Sequence, residues 1–185
     1  MALWIVLGII VLLVIWIISL YNGFVKSKIK IDNSWSDISV FLKKRFDLIP
    51  NLVNTVKGYA AHESQTFEKV VQARNAAVAV PAGDVQAAAQ ANQNLGVALR
   101  GLLAIAENYP DLKANQNFLE LQSALQGIEG DLSNARRYYN ATVRDYNTAI
   151  LQFPGMLIAS RTGFKPREFF ELEDKAEAKN VEVKF

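Results

Sequence analysis

The chain has 185 residues, 20 basic and 18 acidic side chains for a net charge of +2, one histidine and no cysteine. That inventory excludes a disulfide framework, a thiol nucleophile, thiolate zinc sites and any multi-histidine metal centre, and the balanced charge offers no field for nucleic acid. The length accommodates one compact domain together with a membrane anchor.

The charge is unevenly placed. No charged side chain precedes Lys26, and positions 3–20 read LWIVLGIIVLLVIWIISL. About 20 apolar residues, rising about 1.5 Å each in a helix, cross a hydrocarbon core of about 30 Å. Trp4 stands near one end of the run and Tyr21 and Phe24 near the other, where aromatic rings favour the interface. A cleaved signal peptide fits poorly, because no basic segment precedes the run, the run is too long and no small-residue cleavage site follows. Residues 1–25 are therefore predicted to be an uncleaved transmembrane anchor. Lys26, Lys28 and Lys30 flank it on one side only. The positive-inside rule then places the amino terminus outside and the rest of the chain in the cytoplasm.

Beyond the anchor the pattern is helical. Trp35, Ile38, Leu42, Phe46, Ile49, Val53, Val56 and Ala60 recur three or four apart, and Phe67, Val71 and Arg74 extend the stripe. One very long helix to about Val80 is predicted, with a kink at Pro50, since a helix-interior proline removes a hydrogen bond. Pro81-Ala82-Gly83 breaks the chain, and Asp84 is placed to cap a second helix running to about Asn108. Tyr109-Pro110-Asp111 makes another turn. From Asn115 to Phe153 the series Phe118, Leu121, Leu125, Ile128, Leu132, Ala135, Tyr139, Thr142, Tyr146, Ala149 and Phe153 alternates three and four, a heptad seam. Pro154-Gly155 ends it, and a short apolar turn of helix follows. Strand signals are nearly absent. The fold class predicted is all-α: an N-terminal transmembrane helix, then an antiparallel bundle of three long helices closed by a short fourth element, over 26–171. The alternating charges of 172–185 are predicted to form a mobile tail.

Chemistry is scarce. His62-Glu63 begins like a zincin helix, but position 66 is Thr, so no metal pair forms. No phosphate-cradling glycine loop or nucleophile elbow occurs. Asn140-Ala141-Thr142 matches a glycosylation sequon in mid-helix, a chance match in a domain predicted to be cytoplasmic. Lys43-Lys44-Arg45 reads as a solvated helix face, and Tyr139 within Arg136-Arg137-Tyr138-Tyr139 falls on the seam, which makes it core rather than an RNA-stacking platform. No catalytic residue, metal or cofactor is expected, and no nucleic-acid partner. Asn51, Asn54, Asn75, Asn134, Asn140 and Asn147 all sit on long helices, where asparagine forms helix poorly. Buried asparagines can fix register and partner choice, so these hint at helix–helix hydrogen bonds within or between subunits.

Several stretches together resemble the bacterial LemA family. Asp47-Leu48-Ile49-Pro50-Asn51-Leu52-Val53 and Val56-Lys57-Gly58-Tyr59-Ala60-Ala61-His62-Glu63 are similar to its first long helix. The run from Glu107 through Tyr109-Pro110 to Asn115, then Asn117-Phe118, Ala135-Arg136-Arg137-Tyr138-Tyr139-Asn140 and Tyr146-Asn147, match its later helices. Phe164-Lys165-Pro166-Arg167-Glu168-Phe169-Phe170 matches its closing motif. The resemblance implies an anchored, all-helical bacterial protein with a cytoplasmic domain and no established catalytic activity. It also implies relatives that act at membranes, including the biogenesis of membrane compartments. The expectation is a non-enzymatic protein of the inner membrane that binds the bilayer, forms a homo-oligomer and organises or remodels the membrane. A monomeric anchored adaptor, presenting its bundle or tail to a cytoplasmic protein, is the alternative.

Overall fold

The structure, a computed structural model, describes residues 1–171; the predicted tail at 172–185 lies outside the described residues. It is all-α, with six helices and no strand among the described residues: α1 (Ala2–Lys57), α2 (Ser64–Val78), α3 (Val85–Asn108), α4 (Pro110–Lys113), α5 (Gln116–Leu151) and α6 (Gly155–Thr162). Among the described residues they pack as two compact units. One comprises Met1–Arg45 with Ala124–Phe169, the other Phe46–Ser123 with Phe170 and Glu171.

In the first unit α1 begins as an apolar helix with no protein around it. Every side chain from Met1 to Ser19 is exposed. From Phe24 onward α1 has a buried face, with Phe24, Ile31, Ser34, Ile38 and Leu42 inside. The distal part of α5 runs antiparallel against that face. Arg45 pairs with Glu129 at 2.7 Å, the Trp35 and Tyr139 rings lie 5.6 Å apart, and Ser34 and Thr142 share a 3.3 Å hydrogen bond. Nearer the apolar span, Gly155 sits against Phe24. A Cβ there would run into the Ala149 carbonyl oxygen and lie 3.0 Å from the Phe24 ring, so only glycine admits this approach of α6 to α1. The α5 seam buries Leu125, Leu132, Tyr139, Thr142 and Tyr146 as the spacing predicts. Past Tyr146 burial moves to Ile150, leaving Ala149 and Phe153 exposed.

In the second unit α1 does not continue to Val80. It ends at Lys57, and residues 58–63 turn the chain through Tyr59 N–H to the Val56 carbonyl at 3.0 Å and Ala60 N–H to the same oxygen at 2.9 Å. α2 then folds back beside the end of α1. Pro50 lies inside α1 without interrupting it, its ring exposed. Proline has no N–H, so the Phe46 carbonyl four residues earlier loses its helical donor. Arg74 of α2 supplies one: its Nε donates to the Phe46 oxygen at 2.8 Å. The residue read from sequence as an extension of the apolar stripe thus acts by hydrogen bonding across the hairpin.

The remaining boundaries follow local signals. Gly83 takes φ +89°, and the Asp84 carboxylate accepts from the Ala87 N–H at 2.9 Å, capping α3 as expected. The Asn115 side chain accepts from the Phe118 N–H at 2.9 Å at the start of α5 and donates to the Tyr59 hydroxyl at 2.9 Å. Leu52, Val56, Val70, Leu95, Leu102 and Leu112 are fully enclosed in this unit. Each such side chain contributes about 1.5–3 kcal/mol by leaving water.

Candidate functional site

The most elaborate polar arrangement among the described residues holds an extended segment, 164–169, onto helices of the first unit. A non-helical strand of backbone beside a bundle has no ladder to satisfy its N–H and C=O groups, so side chains must do it. Tyr139 and Tyr146 lie two helical turns apart on the buried face of α5. Tyr139 donates its hydroxyl to the Glu168 carbonyl at 3.0 Å, and Tyr146 donates to the Lys165 carbonyl at 3.1 Å. One turn-neighbour further, Asn147 makes a reciprocal pair with the backbone of Arg167. Its Nδ2 donates to the carbonyl at 2.9 Å and its Oδ1 accepts from the N–H at 2.8 Å. The Arg167 guanidinium forms an ion pair with Asp32 of α1. Phe164 closes the end of the segment, its ring 5.5 Å from both Tyr21 and Phe24 in edge-on contact.

Electrostatics reinforce this geometry. Burial raises the Tyr139 phenol above its ordinary 10.0, against a lowering by Arg167 and with further raising by Glu168 and Asp32. Burial raises Tyr146 above 10.0 as well, with Arg167 lowering it and Asp32 raising it. Both hydroxyls are therefore held in the neutral, donating form that the carbonyls require. The arrangement is a clasp: side chains of α5 fasten the backbone of the extended segment, and Asp32 of α1 holds its arginine.

The residues singled out from sequence divide between the two units. Tyr139, Tyr146 and Asn147 converge on the backbone of Glu168, Lys165 and Arg167 respectively, with Pro166 between Lys165 and Arg167 on the segment. Tyr138 is exposed, with the Lys30 ammonium 5.4 Å above its ring. Arg136 is half-buried, Asn140 buried, and Lys26 and Lys28 exposed. In the other unit Ile49 and Leu52 are core, Leu48 is half-buried, and Asp47, Pro50 and Asn51 are exposed. Tyr109 and Pro110 end α3 and begin α4. Of the six asparagines, Asn51, Asn54, Asn75 and Asn134 are exposed, whereas Asn140 is buried and Asn147 half-buried. Arg45 departs from the solvated-face reading: it is 3% exposed and ion-paired to Glu129, while Lys43 and Lys44 remain exposed.

Sequence reasoning missed Asp32 and the partners of Phe164. The motif containing Phe164, Lys165 and Arg167 is the one signal that could have pointed to them. Among the described residues no three His, Cys, Asp or Glu side chains gather where a metal ion could be held.

The family model of the LemA family matches residues 34–185. The magnetosome protein MamQ of Magnetospirillum gryphiswaldense is 28% identical over 174 residues, which cover 81% of this chain and 64% of that protein. Magnetosome protein MamQ 2 of Paramagnetospirillum magneticum is 27% identical, covering 82% of this chain and 64% of that one. Protein LemA of Metamycoplasma hominis is 25% identical over 134 residues, covering 71% and 60%. The chain thus spans less than two thirds of the length of these relatives. With the match extending from within α1 to the last residue, the chain belongs to the LemA family.

Proposed function

We propose that this protein is a non-enzymatic, membrane-anchored helical bundle that self-assembles at the bacterial inner membrane and organises or remodels it. The observation that carries the reading is the continuity of α1. The apolar stretch and the domain face of Ile31, Ile38 and Ile49 belong to one uninterrupted helix of 56 residues. Within the first unit that helix runs from the apolar stretch straight into the bundle, so motion of that unit is transmitted to the span with no flexible linker between them. Neighbouring copies would meet along stiff rods rather than through flexible linkers. The relatives bearing the name of a magnetosome protein support a role at a membrane. In this reading residues 1–25 cross the bilayer, 26–171 form the cytoplasmic bundle, and Lys26, Lys28 and Lys30 hold that orientation.

The test of remodelling is reconstitution of the full chain into giant vesicles over a series of protein-to-lipid ratios. Membrane deformation that sets in above a threshold density is expected. Vesicles that stay spherical at every density, with the protein shown to be inserted, contradict this part of the reading.

A further inference from the structure

The corner where α5 gives way to α6 carries four large apolar side chains in the open: Leu151, Phe153, Met156 and Leu157 are 61, 77, 48 and 54% exposed. Phe153 is the last member of the seam that the spacing of α5 would bury, and it is the most exposed of the four. A cluster of this kind on a water-facing surface marks a contact with something apolar.

Its height along α1 identifies that contact. Gly155, in the middle of the corner, abuts Phe24, and the Phe164 ring that follows α6 rests on Phe24 and Tyr21. Tyr21 and Phe24 both precede Lys26, the first charged residue of the chain. The corner is therefore level with the final uncharged turns of the apolar span, where the bilayer surface must lie if the span crosses it. Charge agrees. Between Tyr146 and Arg167 there is no acidic residue, and the basic Arg161 and Lys165 follow the apolar cluster at once. An apolar face edged by cations is the pattern of a segment lying in the interface, its hydrocarbon in the acyl boundary and its cations among phosphates.

We propose that the α5–α6 corner is a second membrane-contact site, distinct from the span. Leu151, Phe153, Met156 and Leu157 seat in the interfacial layer of the bilayer beside the emerging α1, with Arg161 and Lys165 directed to phosphate-bearing headgroups. The clasp on segment 164–169 holds the corner at that height. This inference rests on the anchoring of α1 and is independent of self-assembly.

Because the chain contains no cysteine, single nitroxide labels report cleanly on full-length protein. Leu12→Cys, Phe153→Cys, Leu157→Cys and Val97→Cys are each labelled and reconstituted into phosphatidylcholine–phosphatidylglycerol vesicles. All four sites are exposed, so the fold tolerates the label, and circular dichroism confirms it. Collision with lipid-dissolved oxygen is compared with collision with a water-soluble nickel chelate. The labels at 153 and 157 should resemble that at 12, with oxygen favoured several-fold, and the label at 97 should show the reverse. If 153 and 157 behave like 97 while 12 remains lipid-exposed, the corner faces water and the proposal falls alone. If both colliders are excluded at 153 and 157, protein covers the corner, such as a second copy, and the lipid assignment is wrong. A label at 12 that reads as aqueous overturns the anchor and the corner together.

Discussion

Asn147 shows how much one side chain can organise. It satisfies both backbone groups of Arg167, and a shorter side chain leaves that N–H and carbonyl partly buried without partners. Asn147→Ala should destabilise the full-length protein by about 2–3 kcal/mol, read as a lower melting temperature in detergent. Asn147→Asp retains the accepted bond and loses the donated one, so its melting temperature should fall between the two. The tyrosines beside it make stability depend on alkali. Their folded pKa values lie above 10.0, so near and above that pH the unfolded chain gives up the phenolic proton first. Their contribution is complete below about 10 and is lost as pH rises through the higher folded values. Melting temperature should hold up to about pH 10 and then decline, and the decline should be shallower in the double variant Tyr139→Phe/Tyr146→Phe. An equal slope in that variant would mean that other groups govern alkaline unfolding. The burial of Tyr139 and Tyr146 was legible in the three-and-four spacing of α5. Their hydroxyl partners were not, because those lie on a segment without periodicity, 19 to 29 residues away.

At the scale of an element, Pro50 teaches more than the regular turns do. The spacing on both sides of it predicts a kinked rather than a broken helix; α1 does run through, and Arg74 donates to the carbonyl that the proline leaves without a donor. The two residues should be energetically coupled. Arg74→Met should cost about 1.5–3 kcal/mol in the natural chain, the range for a hydrogen bond to a charged group. In a Pro50→Ala background the helix supplies its own donor, and the same change should cost markedly less. A double-mutant cycle measures the difference, and additive effects would contradict the compensation. The end of α1 at Lys57 escaped the sequence reading for a related reason. Ala60 and Phe67 stay in phase with the earlier stripe and are buried in the hairpin, so periodicity cannot separate a straight helix from one that turns back. Only the lone Gly58 marked the site. Where stronger punctuation exists, at Pro81-Ala82-Gly83-Asp84 and Tyr109-Pro110, the boundaries were readable within one or two residues.

For the molecule as a whole, composition alone separates an apolar first stretch from a charged remainder, and the structure joins the two in one helix. Within the first unit the distal part of α5 returns along α1 in antiparallel register, from Arg45–Glu129 back to Phe24–Gly155, which brings chain positions far apart in sequence to the end of the span. The segment carrying the closing motif is clasped there rather than left as a loop. On the self-assembly proposed above, identical stiff copies would meet through one recurring contact, which closes into a ring where its rotation allows. Val71 and Val78 on α2 stand exposed on the second unit. The most direct measurement is the mass of the full-length protein extracted in mild detergent, corrected for bound detergent, across a range of concentrations. A discrete species of several copies that persists on dilution is the expected result. A monomer at every concentration would contradict self-assembly and leave an anchored adaptor in its place.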